Sequence, residues 1–234
     1  MALLSVVQDV CAVVGVVTPA SVFSGIAGNR TMQEMLSLAN EMAQRIAYDS
    51  REWNMQKKIG VITGDGLTEA WPMPANFKRL LLTAEVWRST SALQPMLFIP
   101  DTNDWIQRRA LNRFSAWGEW TFLAGEMNIW PVLPAGNTAT FPYLDKNCVA
   151  LASGGFGDSF QSDGDTFNLD ERLLKLGMIW QWKAQKGSPY AEDMGTFGDA
   201  LMIAMGNDTP APIMAGRLPV SRAVRLAYPW PVPT

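Results

Sequence analysis

The stretch NLDERLLKLGMIWQWKAQKGSPYAEDMGTFGDALMIAMG, residues 168–206, predicts two antiparallel helices joined by a tight turn. Asn168 and Glu171 have the spacing of a capping box, in which two side chains bond free backbone N–H groups at a helix start. Gly187 ends the first helix, because glycine readily takes the left-handed backbone that closes a helix. Pro189 begins the second helix at once, since proline fits the first helical position. We expect the rest of the chain to be organised around this helical hairpin.

The first helix of this hairpin carries apolar residues on two sides, with charged residues between the two stripes. A helix that is apolar on two sides is either buried within a larger domain or shared between subunits, and the pattern leaves both open. We take the first stripe as the core side and the second as the inter-subunit interface. The first stripe contains Leu169, Leu173, Leu176 and Trp180, and the second contains Leu174, Met178 and Trp182.

Two further helices are predicted near the N-terminus. Apolar residues repeat every three or four positions from Leu3 to Val17, which favours an amphipathic helix. Gln8 and Asp9 interrupt this run and no basic region precedes it, so we expect neither a signal peptide nor a membrane span. Residues 31–50 begin with a second capping-box spacing and predict a helix with one apolar and one polar side.

The middle of the chain changes to the period of two that is typical of strands. Six or seven short strands at regular spacing predict a small antiparallel sheet or sandwich. Asp101 or Thr102 is expected to cap a short helix within this region. The predicted strands are 58–63 and 67–71, joined as a hairpin by Gly64-Asp65-Gly66; 79–87 and 93–99; and 119–123 and 127–131, a second hairpin with 138–144 as its next neighbour.

Residues 152–166, ASGGFGDSFQSDGDT, are rich in Gly, Ser and Asp, which predicts a flexible linker. The run around Gly154 and Gly155 lacks the Gly-Lys-Ser/Thr ending of a nucleotide-binding loop. The acids Asp163, Asp165 and their neighbours do not follow the ligand order of a calcium loop. We therefore interpret them as solubilising loop residues rather than as a metal or catalytic site.

Together these elements predict an α+β fold, in which N- and C-terminal helices build a helical bundle with an inserted antiparallel β-sheet or sandwich region and an extended C-terminal arm. The predicted segments are 1–55, the N-terminal helices of the bundle; 56–150, the inserted β-region; 151–167, the flexible linker; 168–208, the C-terminal helical hairpin; and 209–234, the Pro-rich arm.

Composition excludes several classes of function. The chain has no histidine, so Ser-His and Cys-His nucleophiles and the commonest metal ligand are absent. Cys11 and Cys148 are predicted to be buried free thiols in a reducing compartment, and no zinc site or other cofactor is expected. The net charge of −3 argues against a protein that wraps nucleic acid by neutralising phosphates. We expect a protein that is not an enzyme.

The arm, residues 209–234, contains six prolines and therefore cannot form a helix or a central strand. It also holds apolar anchors and basic residues of the kinds that dominate interfaces. Two alternatives remain open: the arm folds back on the β-region of its own chain, or it docks on a partner or a neighbouring subunit. The residues assigned to partner docking are Arg217, Arg222, Arg225, Tyr228 and Trp230.

Several segments resemble, in the same order, the head–tail connector proteins of tailed bacteriophages, the adaptor or tail tubular family. The C-terminal segment LLKLGMIWQWKAQKGSPYAEDM carries the strongest likeness, and the similarity extends from residue 1 to about residue 208. Its specificity lies in the order of several weak motifs rather than in a single diagnostic one. The other similar segments are MALLSVVQDVCAVVGVVTPASV, AWPMPANFKRL and the helix at residues 31–50.

The resemblance implies a structural virion protein at the head–tail junction, present in the host cytoplasm during assembly. About twelve copies would form a ring that binds the portal protein and a tail nozzle or other tail component. Packaged DNA would pass through the channel without sequence-specific binding. The alternative is a carbohydrate-binding β-sandwich module of a virion or cell surface, in which exposed tryptophans stack on sugars. The six candidates for such stacking are Trp53, Trp71, Trp87, Trp117, Trp120 and Trp130. A hydrolase with a pair of carboxylates is a third, weaker hypothesis.

Overall fold

The computed structural model describes residues 2–24, 28–90 and 93–208, and these residues gather around two hydrophobic cores. One core lies among the helices at the two ends of the chain, and the other lies among the strands in the middle. The helices in the described residues are α1 Leu3–Val14, α2 Arg30–Gln44 continued by a π-helical turn Arg45–Asp49, α3 Thr102–Ala110, α4 Glu171–Gln185 and α5 Ala191–Asp208, with a short 3-10 turn at Asn54–Gln56.

Eleven short strands in the described residues form three sheets. In the first, β1 and β3 pair on opposite sides of β8, and β4 also pairs with β8; the second has the order β2-β7-β6-β5, and the third β10-β9-β11. The bounds are β1 Lys57–Thr63, β2 Ala70–Pro72, β3 Phe77–Leu80, β4 Trp87–Arg88, β5 Leu97–Phe98, β6 Glu119–Leu123, β7 Glu126–Trp130, β8 Thr138–Asp145, β9 Val149–Ala150, β10 Phe156–Gly157 and β11 Thr166–Phe167.

The predicted architecture of a helical bundle with one inserted antiparallel sheet or sandwich is wrong. The third sheet belongs to the helical core, where Val149 and Phe167 are buried together with residues of α1, α2 and α4. In addition, β5 and β6 pair in parallel. The fold is α+β, with helices that pack on strands as well as on one another. The periodicity of a helix indicates which face is buried but not what covers it, and this is why the sequence could not exclude a bundle.

The hairpin predicted around Gly64-Asp65-Gly66 is also wrong, because β1 pairs with β8 and β2 pairs with β7. The Asp65 carboxylate accepts hydrogen bonds from the backbone N–H groups of Leu67 (2.8 Å) and Thr68 (2.7 Å). These side-chain bonds, the Thr68 hydroxyl first among them, lower the pKa of Asp65 to about 2. They form a local turn that competes with a two-residue hairpin turn, so the chain leaves β1 without folding back on it.

The second predicted hairpin is confirmed as β6 and β7, joined at Ala124 and Gly125, which both have positive φ. Two consecutive residues of that kind are the requirement of the tight turn that matches strand twist. However, β8 is not the next neighbour of this hairpin and pairs instead with β1, β3 and β4. Local turn chemistry therefore predicted the short-range pair, whereas the long-range pairing carried no local signal.

The segment predicted as a flexible linker is ordered by two aspartates. The Asp163 carboxylate accepts a hydrogen bond from the backbone N–H of Val22 at 2.8 Å. The buried Asp165 carboxylate accepts bonds from Ser162 and from backbone N–H groups that include that of Ala152 (2.9 Å). Burial opposes its ionisation, but these bonds prevail and the pKa of Asp165 is lowered. Instead of merely solubilising a loop, Asp163 ties the segment to the N-terminal region and Asp165 holds the segment together.

The helix boundaries agree with the sequence to within a few residues. Two of the caps differ from the predicted ones by two positions, since Asn29 accepts from the N–H of Thr31 (3.1 Å) and Asp170 accepts from that of Arg172 (2.8 Å). Gly187 has φ +69° as predicted for the end of the first helix of the hairpin. The N-cap of α3 is Asp101, also as predicted.

Candidate assembly surface

The stripe predicted as an inter-subunit interface lies inside the chain. Leu174, Met178 and Trp182 are 1%, 0% and 6% exposed, and all three belong to the helical core. Side chains covered by their own chain leave no surface for a neighbouring copy. The structure thus corresponds to the other interpretation of the two-sided helix, burial within a domain, and any contact between copies must use other residues.

Helix α4 is enclosed because three other helices pack against it. It contacts α1, α2 and α5. Gly177 lies where these helices come together, and a Cβ atom there would overlap the terminal methyl of Met42 and lie 3.2 Å from the ring of Phe197. A larger residue at this position would have to displace the end of the Met42 side chain, so the packing of the chain itself favours the glycine of α4.

Helix α5 lies at the outside of this group and has no buried residue. Its inner side, which includes Phe197, Leu201 and Met205, packs partly buried against the helical core. On the outer side, Met202 is 71% exposed and Ile203 is 65% exposed. Exposed apolar side chains next to one another on a helix are typical of a contact surface.

Three glycines lie near these apolar residues on the outer side of α5. A Cβ atom built on Gly195, Gly198 or Gly206 would meet nothing within 4 Å. Glycine inside a helix costs roughly 0.5–1 kcal/mol relative to alanine, so three of them destabilise α5 with no gain from the packing of the described chain. We define the α5 face as Met194, Gly195, Gly198, Met202, Ile203 and Gly206.

Polar contacts hold both ends of α5 in place. At its beginning, Lys183 Nζ lies 2.6 Å from the carboxylate of Asp193. At its end, the guanidinium of Arg51 donates to the carbonyl of Met205 and lies 3.6 Å from the carboxylate of Asp208. These contacts fix the helix although none of its residues is fully buried, and so the α5 face is presented in a defined orientation.

A second surface lies between α1 and α4, which form a groove of about 410 Å³. Val6 and Leu176 contribute apolar lining, and Lys175 Nζ is bound to Asp9 at 2.7 Å. Arg172 is exposed at this groove, whereas the outer side of α5 carries the exposed acids Glu192 and Asp199. We call this the α1/α4 groove. The groove is lined by two acidic and two basic residues, and its exposed Arg172 is opposite in charge to Asp199 of α5.

The titratable residues of the described chain do not form a metal centre, since no group of three or more Cys, Asp or Glu side chains is placed to hold an ion. The two free cysteines are buried as predicted. Burial raises the pKa of Cys148 to about 11 and also raises the pKa of Cys11. Both are therefore protonated thiols at neutral pH and poor nucleophiles.

The tryptophans proposed for sugar stacking do not present exposed rings. Trp53 and Trp120 are buried, and the other four are partly buried. Trp130 illustrates their role, because the guanidinium of Arg109 lies 4.9 Å from its ring and Phe114 meets it edge-on at 6.4 Å. The other partly buried members of the set are Trp71, Trp87 and Trp117.

The α5 face was missed in the sequence, although a signal for it exists. Residues 200–205, ALMIAM, are six consecutive apolar residues. Successive helical residues are about 100° apart, so such a run covers every side of the helix and leaves apolar residues outside unless both sides are buried. The five residues assigned to partner docking, Arg217, Arg222, Arg225, Tyr228 and Trp230, lie outside the described residues.

No protein-family model matches this sequence, and a comparison with curated proteins finds no match either. Among the described helices, none has the combined length and apolar composition needed to cross a membrane.

Proposed function

We propose that this protein is a structural virion protein, a ring-forming adaptor that joins the portal to the tail of a phage and lines the channel through which DNA leaves. Its action is geometric and needs no catalysis. Identical copies contact one another head to tail, and a fixed rotation between them closes a ring. The collinear resemblance to connector proteins implies about twelve copies and a position at the head–tail junction.

The observation that carries the proposal is the combination of exposed apolar residues and unexplained glycines on the α5 face. Met202 and Ile203 offer apolar area, and the glycines beside them let another backbone approach closely. Each glycine inside a helix lowers the stability of that helix relative to alanine. A partner helix that packs on the α5 face would offset that cost.

We assign the partner of the α5 face to a second copy of this chain. A head-to-tail interface joins two different surfaces of the same protein, and the α5 face and the α1/α4 groove share no residue. Asp199 beside the α5 face and Arg172 at the groove supply opposite charges for such a contact. The portal and a tail component are then bound by other parts of the ring, with the C-terminal arm as the proposed portal contact.

The test replaces Met202 and Ile203 by glutamate in the full chain and measures the mass of the assembled species by sedimentation. We expect the double variant to remain folded by circular dichroism and to lose the oligomer, whether the oligomer forms alone or on a portal ring. Two acids in a desolvated interface are strongly unfavourable, and the exposed sites themselves tolerate charge.

The matched control is Leu67→Glu with Leu82→Glu, which adds the same charge at two exposed apolar sites away from α5. It should assemble as the unmodified chain does. Equal assembly of the α5 variant and this control would contradict the proposed interface. A charge exchange, Arg172→Asp with Asp199→Arg, refines the test: each single variant should weaken assembly, and the pair should recover part of it.

A further inference from the structure

Strand β1 is an exposed edge of the first sheet. In the described part of the chain it pairs only with β8, through all seven of its residues from Lys57 to Thr63. Its other side therefore presents backbone N–H and C=O groups that a further strand could bond. An edge of this length is a template for strand addition unless something covers it.

The solvent side of β1 is apolar as well as open. Ile59 is 73% exposed and Val61 is 59% exposed, and they stand opposite Pro142 and Thr140 of β8. Trp87 of β4 also pairs with Thr140, so an apolar surface continues across three strands. An open groove of about 310 Å³ follows this surface. Both the edge and the adjoining face of β1 could thus accept a strand with apolar side chains.

The sequence supplies one such strand in the arm. Residues 220–228, VSRAVRLAY, contain no proline, whereas Pro219 and Pro229 lie directly on either side. Val220, Val224 and other large side chains occupy every second position, and smaller residues fill most of the remainder. This is the period-two pattern of a strand. Flanking prolines are compatible with an edge strand, which needs bonds on one side only.

The end of the described chain lies beside the start of β1. The described chain ends at Asp208, whose carboxylate accepts a hydrogen bond from the backbone N–H of Asn54 at 3.1 Å. Asn54 precedes the first residue of β1 by only three positions. Residues 209–219 can span up to about 36 Å when extended, and a seven-residue strand is about 23 Å long. Residues 220–228 can therefore reach either end of β1 of their own chain.

Charge favours contact between the arm and the rest of the chain. The arm holds three of the 19 basic residues and none of the 22 acidic ones. Residues 1–208 therefore carry 16 basic against 22 acidic residues, a net charge of −6, whereas the arm carries +3. Opposite net charges attract the arm to the body of the protein before any specific contact forms. The short tether of residues 209–219 further raises the effective concentration of the arm strand near β1.

We propose that residues 220–228 of the free protein add to the edge of β1 in their own chain as a further strand. The added strand satisfies the backbone groups of β1 and places Val224 and its alternate neighbours beside Ile59 and Val61. This docking takes place within one chain and does not depend on the proposed ring assembly. If the arm also binds the portal, it must leave β1 to do so, and the free protein then keeps both the arm and the edge from other partners.

The experiment is hydrogen exchange followed by mass spectrometry on the full chain, at concentrations where it is monomeric. Amides of residues 57–63 and 220–228 should both be protected. The substitution Val224→Pro removes a backbone donor and fixes φ within the arm strand, so it should increase exchange in residues 57–63 at least tenfold. Ala211→Pro makes the same change in the same arm outside the strand and should leave the protection unaltered.

A chain ending at residue 208 gives a second measurement that does not require the arm to tolerate proline. Its residues 57–63 should exchange as fast as in the Val224→Pro variant. Fast exchange of residues 57–63 in the unmodified full chain would overturn the proposal. Protection that disappears on dilution would also overturn it, because docking within one chain is independent of concentration; such a result would assign the strand to a second copy. Neither outcome depends on whether a ring or a portal complex forms.

Discussion

Helices α4 and α5 lie side by side, yet their glycines and methionines lie in different surroundings. In α4, Met42 and Phe197 occupy the space that a side chain at Gly177 would take, and Met178 is completely buried. In α5, Gly195 faces open space and Met202 is mostly exposed. The contacts of the described chain explain the composition of α4 but not that of α5.

This difference indicates which helix to test for a contact between copies. A residue that is costly in the isolated chain and has no compensating contact there indicates a contact outside it. By that criterion we propose α5 as the assembly helix and α4 as the helix that supports it. Three predictions test the comparison, in order of the expected change in the free energy of unfolding.

The largest difference in the free energy of unfolding is expected between variants of two methionines. Met178→Ala leaves a cavity in the core and should lower the free energy of unfolding by about 3 kcal/mol. Met202→Ala removes an exposed side chain and should change it by about 0.5 kcal/mol or less. Urea denaturation of both variants under monomeric conditions measures this. Similar losses at the two positions would mean that α4 is not the interior helix described above.

A second, smaller difference is expected between two glycines. Gly177→Val forces Met42 or Phe197 to move and should lower the free energy of unfolding by about 2 kcal/mol. Gly195→Val enters open space and should have an effect of about 0.5 kcal/mol or less. Thermal denaturation of the two variants side by side provides the measurement. A Gly177 variant as stable as the Gly195 variant would remove the distinction between the helices.

The smallest change in stability should have the clearest effect on assembly. Gly195→Ala with Gly198→Ala should raise the free energy of unfolding by about 1 kcal/mol, because alanine is the better helix former. The added methyl groups should nevertheless weaken assembly, since they keep the partner backbone at a distance. Denaturation and sedimentation of the same sample separate the two effects. A double variant that is more stable and assembles normally would show that the α5 glycines do not serve a close contact.

The sequence predicted elements well where the signal is local. Apolar periodicity gave α1, α2, α4 and α5, and the turn at Ala124 and Gly125 gave the β6–β7 hairpin. These features depend on residues only a few positions apart. The prediction that Gly187 ends the first helix of the hairpin is confirmed for the same reason.

The sequence failed where distant segments decide the outcome. The sequence predicts a hairpin turn at Asp65, but the Asp65 carboxylate accepts a hydrogen bond from the backbone N–H of Leu67 instead. Strand β1 then pairs with β8, which lies about 80 residues further along the chain. The sequence predicts Asp163 as a loop solubiliser because its partner Val22 lies about 140 residues away, and one partner of Asp165, Ala152, lies 13 residues away. The stripe of Leu174 could not be assigned from periodicity, since burial within a chain and burial between chains leave the same pattern.

The most direct test of the proposed function is the light-scattering mass of the purified full chain, alone and mixed with a portal ring of the same phage. The adaptor hypothesis predicts either a ring of many copies that forms unaided or a monomer that joins the portal in a stoichiometric complex of about twelve copies. A chain that stays monomeric and does not bind the portal would contradict it.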